Sequence, residues 1–477
     1  MRMPTSVHWE KFWSSYPALF YGLFFLVGTF FGLLFSWVAC ALLLFFFFVS
    51  IRCSSQFKKR LGFGFFVFFI GSISAYFSCT YPSADEVINE GVASVRLESA
   101  QQKMRYGKHF WKNYLNVLSF TTISGEKIAK NIPCLCLQEY PDFKLDIEYL
   151  VEGQLIQIQP QIFILKPKRI ISSKNSERFF SFSRYRKSMR EYVHFFFVSQ
   201  MPPTLSRDFL QGLLFGEIQN DQLMSSIAKV GLQHLLVVSG FHFGCLMLVV
   251  GMLLKPFGYG RKCICALLFI VGAYFIFIGN NPSVFRAFVM TATYLFATLL
   301  RQNSSSLNAL GVALLVLLAW DPTYALHVGF QLSFLATFAI LLLYHPMKEL
   351  VGRAFPKRSS IEFLQLGICS QIGAAIIGFV RSAFCLTLVV QLMVLPILIG
   401  MPKGFALHSI VYNIFIPVLI GLGMQLSLIG FCCYIIPYVK DLLFYCANGI
   451  VDFALSFILH PPQVLLRYSP VMEIPVW

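Results

Sequence analysis

Long apolar runs, broken by short polar connections, dominate the hydrophobic pattern of the chain and form two blocks. About 20 apolar residues span a bilayer as a helix, so the pattern predicts a polytopic α-helical membrane protein with about eleven transmembrane helices. Residues 361–380 are ambiguous, since they are too polar for a clear span and too apolar for a plain loop. The predicted helices lie at about 18–36, 38–51, 63–79, 232–254, 263–279, 283–300, 306–320, 327–344, 382–400, 408–436 and 440–459.

Between the two blocks the apolar residues change to a period of two. Examples are "GVASVRL" at 91–97 and "EGQLIQIQ" at 152–159, and five such runs are separated by turn residues. Alternation of this kind is typical of strands. Five strands in about 80 residues fit an OB-like barrel, although alternation alone leaves another small barrel open. We therefore predict an inserted all-β domain.

These patterns divide the chain into five regions. The stretch 207–223 mixes charged and apolar residues and is expected to form an amphipathic helix at the membrane interface. The regions are a three-helix membrane region at 1–80, an OB-like domain at 81–168, a basic linker at 169–204, a second membrane region at 205–460 and a tail at 461–477.

Charge adds an orientation to this picture. Of the 477 residues, 57% are hydrophobic and 13% charged, against about 25% charged in soluble domains. The net charge is +16, and basic clusters recur in alternate predicted loops. By the positive-inside rule those loops are cytoplasmic, which places the N-terminus inside and the β domain outside. The first of these loops is expected to hold Arg52, Lys58, Lys59 and Arg60.

The segment 166–190 carries nine basic residues, one acid and several interleaved aromatic residues. One interpretation is a solvated linker, or a basic helix lying on anionic lipid. Another is a surface that follows a phosphate backbone, with aromatic rings available for base stacking. The candidates for nucleic-acid binding are Lys168, Arg169, Arg184, Arg186, Lys187 and Arg190.

Polar residues inside the second block are the informative positions, because they are costly in lipid and usually face a bundle interior or a wet cavity. The stretch "QHLLVVSGFHFG" at 233–244 carries three of them. On one helix, Ser239 and His242 would be neighbours, and His234 would lie about two turns before His242. Gly240 and Gly244 would let another helix approach closely.

Further polar positions extend this set. Arg286 follows a turn at the start of a predicted helix, and an inward-facing guanidinium would give the bundle a fixed positive charge. Gly329 and Ser333 form a second predicted packing seam, with Gln331 pointing away from it. Gln391 and Asn413 are polar positions in two helices that Pro396 and Pro417 would bend.

Other chemistry is weakly supported. Ser239 and His242 could be a nucleophile and its base, but Val237 replaces the first glycine of a GxSxG elbow. The 13 cysteines show no zinc spacing, so we expect neither a metal nor another cofactor. Cys134 and Cys136 are expected on opposite sides of a strand. We find no nucleotide-binding motif of the GxxxxGK[ST] type, so the energy must come from a motor protein or a gradient.

In their order, the polar stretches resemble the ComEC family of competence proteins, the inner-membrane channel for DNA uptake in natural transformation. The matching pieces are "LQGLLFGEIQND" (210–221), "VGLQHLLVVSGFHFG" (230–244), "NPSVFRAFVM" (281–290), "DPTYALHVGFQLSFLAT" (321–337) and "VVQLMVLPILIG" running to "NIFIP" (389–417). The resemblance covers nearly the whole chain. It implies that 205–460 is a competence-type channel domain for single-stranded DNA in the bacterial cytoplasmic membrane.

Under this resemblance the polar positions become candidates for lining the translocation path. They are His234, Ser239, His242, Arg286, Gln331, Gln391 and Asn413. The resemblance also implies that DNA receptor, nuclease and motor proteins are separate partners alongside membrane lipid, and it leaves homo-oligomerisation open.

The chain departs from the long members of the family in one respect. Those members carry a C-terminal metallo-β-lactamase-like domain, whereas this sequence ends at Trp477 and contains no HxHxDH motif. We therefore expect no nuclease activity in this chain. Two alternatives remain open: a transporter or flippase for another anionic substrate, and an intramembrane serine hydrolase.

Overall fold

The structure is a computed structural model in which the chain forms two compact units. One unit comprises residues 1–192 with 314–327, and the other comprises 193–313 with 328–477. The described residues are 6–34, 54–78, 88–105, 108–123, 125, 127–138, 143, 147–159, 162–175, 182–215, 220–236, 240–258, 260–279, 281–303, 305–354, 367–399 and 409–461.

In the first unit, helices α1 (Ser6–Ser15) and α2 (Pro17–Leu34) precede helix α3 (Ser55–Ser78). The predicted helix at 38–51 lies outside the described residues. Helix α3 begins at Ser55 rather than at 63, so Lys58, Lys59 and Arg60 lie in its first turns and the predicted loop is wrong here. The reason is a cap: the Ser54 hydroxyl accepts a hydrogen bond from the Phe57 amide (3.3 Å).

Helices α2 and α3 pack closely through glycines. A Cβ atom on Gly71 would lie 2.6 Å from the carbonyl oxygen of Phe25, and one on Gly28 would overlap the carbonyl of Phe68. Gly32 is blocked in the same way by Ser72. Gly28 and Gly32 are four residues apart, the small-xxx-small spacing of close membrane-helix contacts.

The β domain is a closed five-stranded barrel in the first unit. Its strand order is β1-β2-β3-β5-β4, and β4 pairs with β1 to close it. Neighbouring strands are antiparallel except β3 and β5, which are parallel. The strands are β1 (Ile88–Arg105), β2 (Lys108–Thr122), β3 (Lys127–Gln138), β4 (Ile147–Gln159) and β5 (Ile162–Asn175).

Alternate residues of the strands fill the barrel, as their period of two predicted. Val95, Val117 and Val151 are fully buried in this core. The expectation that Cys134 and Cys136 face opposite sides is wrong: both are buried inside, because residues two apart on a strand share a face. The predicted boundary at 168 is also wrong, since β5 continues to Asn175.

The second unit is helical. Near its start, the structure differs from the interfacial helix predicted at 207–223. The stretch 207–223 is not one interfacial helix but parts of two, and the first of them is almost entirely buried. The Asn220 side chain accepts a hydrogen bond from the Leu223 amide (3.1 Å) and so caps the second. The remaining helices, of which α4 and α11 are divided between the two units, are α4 (Phe182–Gln200), α5 (Leu205–Phe215), α6 (Asp221–Lys229), α7 (Gln233–Leu236), α8 (Gly240–Leu254), α9 (Arg261–Ile278), α10 (Pro282–Leu299), α11 (Ser306–Trp320), α12 (Val328–Ala354), α13 (Ile368–Ile399), α14 (Ser409–Cys432) and α15 (Pro437–Leu459).

Within the described residues, six helices are long and apolar enough to cross a membrane: α3, α9, α12, α13, α14 and α15. Helix α10, which corresponds to the predicted span 283–300, is not among them and carries Arg286. The ambiguous segment is helical over its described part, because α13 begins at Ile368 and is continuous with the predicted span at 382–400. Residues 361–366 lie outside the described residues.

Candidate functional site

The candidate site is built where helices α8, α10 and α12 begin. Asn281 caps α10 by accepting a hydrogen bond from the Ser283 amide (3.2 Å), and Pro282 occupies the first turn. The Ser283 hydroxyl then donates to the carbonyl oxygen of Gly329 (3.4 Å). This bond joins the first turn of α10 to the first turn of α12.

Arg286 lies one turn further along α10 and is 7% exposed. Its terminal nitrogen Nη2 is 3.4 Å from the position that a Cβ atom on Gly240 would occupy. The guanidinium carbon is 5.9 Å from the ring centroid of Phe334 on α12, within cation–π range. The side chain therefore reaches both α8 and α12 from α10.

The described carboxylates of this unit have other partners. Among the described residues, Nε of Arg286 is buried and has no hydrogen-bond partner. Asp208 and Asp441 form ion pairs with Arg207 and Lys440, Glu349 lies 3.8 Å from a ring nitrogen of His345, and Asp452 accepts a hydrogen bond from Asn448. A buried cation without a paired carboxylate can attract an anion.

The described residues of the stretch 233–244 fall in two helical parts, α7 and α8. His234 lies on α7 and is exposed, whereas His242 lies on α8 and is 1% exposed. Ser239 lies outside the described residues. The common face predicted for Ser239 and His242 therefore stays a prediction, and His242 is buried in the first turn of α8.

The predicted glycine seams also differ from the structure. Gly240 is approached closely, but by the Arg286 side chain rather than by another helix backbone. A Cβ atom on Gly244 or Gly329 would meet no atom within 4 Å. The carbonyl oxygen of Ser333 accepts a hydrogen bond from the Thr337 hydroxyl within α12 (2.9 Å). The Cβ position of Gly329 therefore faces open space, while its carbonyl oxygen accepts the hydrogen bond from Ser283 on α10.

A second polar cluster joins α13 to α14. The Gln391 amide nitrogen donates to the Ser409 hydroxyl (2.8 Å), and the Gln391 amide oxygen is buried with no partner among the described residues. Asn413 lies one turn after Ser409 on α14, and Thr387 lies one turn before Gln391 on α13. Gln391 and Asn413, both predicted to line the path, therefore lie on two helices that contact each other. Gln331 is half-buried on α12.

The predicted nucleic-acid contacts divide into two groups. Lys168 and Arg169 lie on strand β5, where they pair with Glu90 (3.1 Å) and Glu152 (3.6 Å) on the barrel surface. The other four, Arg184, Arg186, Lys187 and Arg190, lie on helix α4 rather than in a linker. Partial burial and the neighbouring charge of Arg190 lower the pKa of Arg186.

Ser283 and Ser409 form hydrogen bonds in these clusters and Thr387 is buried one turn from Gln391, and the sequence analysis missed all three. Each lies three or four residues from a predicted polar position on the same helix, so helical spacing was the signal that would have found them. Within the described ranges, no group of three or more His, Cys, Asp or Glu residues could hold a metal ion.

Comparisons with known proteins identify the region that contains this site. The profile of a family described as "Competence protein" matches residues 213–477. ComE operon protein 3 of Bacillus subtilis (strain 168) is 31% identical over 172 residues, which are 35% of this chain and 22% of that protein. An uncharacterized protein of Aquifex aeolicus (strain VF5) is 30% identical over 164 residues, 33% of this chain and 38% of the relative.

The chain therefore spans well under half the length of either relative. No solved structure matches this chain.

Proposed function

The chain belongs to the competence protein family, and we propose that it forms the channel through which single-stranded DNA crosses the bacterial cytoplasmic membrane during natural transformation. The observation that carries this proposal is Arg286. It is a buried cation held between three helices of the region that matches the family.

The physical requirement is a hydrated path. A DNA strand carries a negative charge at each phosphate and cannot cross hydrocarbon without polar surroundings. Contacts along the path should be independent of sequence, because any strand must pass. Our candidates for lining it are His234, Ser239, His242, Arg286, Gln331, Gln391 and Asn413.

For the β domain we propose an OB-like barrel that receives the strand. The order β1-β2-β3-β5-β4, with parallel β3 and β5 and closure by β1 and β4, supports this class. The basic residues of helix α4 would follow the phosphate backbone, whereas Lys168 and Arg169 already have carboxylate partners. We therefore assign the larger share of DNA attraction to α4.

The orientation is part of the proposal. The N-terminus would be cytoplasmic and the barrel extracytoplasmic, so that the barrel meets incoming DNA before the helical region does. A receptor, a nuclease and a motor would be separate proteins, and this chain would not itself be an enzyme. A transporter or flippase for another anion is the second candidate, because a buried guanidinium attracts any anion of suitable size.

Import of fluorescent DNA tests the proposal. In a strain that lacks this gene, we expect labelled DNA to remain outside the cytoplasm while its binding to the cell surface is unchanged. Expression of the intact gene from a plasmid should restore import. Normal import in the deletion strain would refute the channel proposal, and loss of another anion's transport in the same strain would favour the second candidate.

A further inference from the structure

We propose that Arg286 and the first turns of α10 and α12 form a binding site for a single phosphodiester group. The inference rests on the proposed function only for the source of that phosphodiester, namely the backbone of a DNA strand. The charge and the geometry of the site are the same whatever substrate crosses the membrane.

The helix ends supply the first element. The first N–H groups of an α-helix have no partner within the helix and carry partial positive charge, so that helix starts bind phosphate. Extended backbone at His327 precedes α12, so the first N–H groups of α12 are the donors that face a ligand, whereas at α10 Pro282 has no N–H and the Ser283 amide donates to Asn281. The bond from Ser283 to Gly329 holds these two starts together.

Arg286 supplies the second element. It is three residues after Ser283 and therefore on the same face of α10. Its Nη2 reaches Gly240, the first residue of α8, and a cation at the positive end of a helix is unfavourable unless a negative charge balances it. The described carboxylates of the unit are engaged elsewhere, and Nε of Arg286 has no hydrogen-bond partner among the described residues.

Glycines give the site its room. A Cβ atom on Gly329 would meet nothing within 4 Å, so the backbone at the start of α12 is open to a ligand. Gly240 has no side chain to cover Nη2 of Arg286 from the α8 side. Close approach of a phosphate to backbone needs such positions, and the planar guanidinium matches two phosphate oxygens at once.

Phosphodiesters occur in DNA and in phospholipid head groups, and the experiment separates the two. The full chain, purified in dodecyl maltoside at constant ionic strength, is titrated with thymidylyl-thymidine, and binding is followed by the thermal unfolding midpoint. The matched ligand is the same dinucleotide with a methylphosphonate linkage, which has the same shape but no charge. Short-chain phosphatidylglycerol is the lipid probe.

We expect thymidylyl-thymidine to raise the Tm and the methylphosphonate analogue to leave it unchanged. Arg286→Gln should weaken the apparent affinity about tenfold or more, since hydrogen bonds to a charged group are lost. Arg286→Lys should lose less. The control is Arg261→Gln, because Arg261 also begins a helix but is exposed. It should bind as the unchanged protein does.

Several results would overturn the inference. The first is an unchanged Tm of the wild-type protein with the charged dinucleotide, which needs no variant to fold. The second is equal affinity for the charged and uncharged linkages. A higher affinity for phosphatidylglycerol than for the dinucleotide would replace DNA by lipid as the source. Phosphodiester binding together with normal DNA import in the deletion strain would refute the proposed function and leave this site standing.

Discussion

Charged residues are treated in opposite ways in the barrel and in the helical unit. On the barrel, Arg96 pairs with Glu148 directly across two strands, and Arg169 pairs with Glu152 in the same manner. All four side chains are at least 36% exposed. In the helical unit, Arg286 is 7% exposed and has no carboxylate partner among the described residues.

The barrel charges are exposed and paired with each other, whereas Arg286 is buried without a paired carboxylate among the described residues. Exposed ion pairs contribute little to stability, and each can be lost without harm to the rest. A buried cation without a paired carboxylate is costly, because burial removes its hydration and no opposite charge compensates the loss. The cation–π contact with Phe334 offsets only part of that cost, so the position of Arg286 points to binding.

The largest effect we expect is on DNA uptake. Arg286→Ala should lower the transformation frequency about a hundredfold, since contacts worth about 3 kcal/mol to a moving phosphate would be lost. His242→Ala should act in the same direction, because His242 is buried on α8 two residues after Gly240, which Nη2 of Arg286 approaches. Both proteins should remain in the membrane at normal levels, as judged by immunoblotting of membrane fractions.

Arg96→Ala is the matched control, since it removes an exposed, paired arginine from the barrel. We expect normal transformation from this variant. If Arg286→Ala transforms normally, or if Arg96→Ala is equally defective, the contrast between the two charges fails.

An intermediate effect is expected from the glycines of the two units. Gly28→Ala should destabilise the protein by about 1–3 kcal/mol, because the new methyl group would overlap the Phe68 carbonyl between α2 and α3. Gly244→Ala should be neutral or slightly stabilising, since nothing lies within 4 Å and alanine favours a helix. Thermal unfolding in detergent measures both, and equal losses would show that the helical unit is packed as tightly as α2 and α3.

The smallest effect concerns Glu90 on the barrel. Hydrogen bonds from Gln154 and from Lys168 lower the pKa of Glu90 below its ordinary value of 4.5. The resulting stability is present above pH 4.5 and is lost as the pH falls through the lower pKa of the folded state. Glu90→Gln should therefore have a slightly lower Tm than the wild type at neutral pH, and the difference should disappear in acid. A difference that persists there would mean that charge is not its cause.

The sequence predicted the elements that follow a simple period. The barrel lies where alternation placed it, and the family that the polar stretches resembled is confirmed by the profile match over 213–477. The apolar runs marked the helices, but not their ends. Side-chain caps decide those ends, as Ser54 does for α3 and Asn220 does for α6.

The site was predicted in part, because helical spacing within one segment gives no information about contacts between segments. Arg286 was found from its cost in a membrane, but its neighbours Ser283 and Gly329 come together only when α10 and α12 pack. Glycine spacing misled in the same way. It predicts close helix packing at Gly240 and Gly244. The tight helix contact instead uses Gly28 and Gly32, which lie in a run that the sequence marks only by its hydrophobicity.

The two thiols inside the barrel have a practical consequence. Cys134 is 5% exposed and Cys136 is fully buried, so a soluble alkylating reagent reaches them only when the strands separate. Their modification rate therefore reports how often the barrel opens while the rest of the protein stays folded. Mass spectrometry of the alkylated cysteines therefore measures how often the barrel opens while the protein remains in an intact membrane.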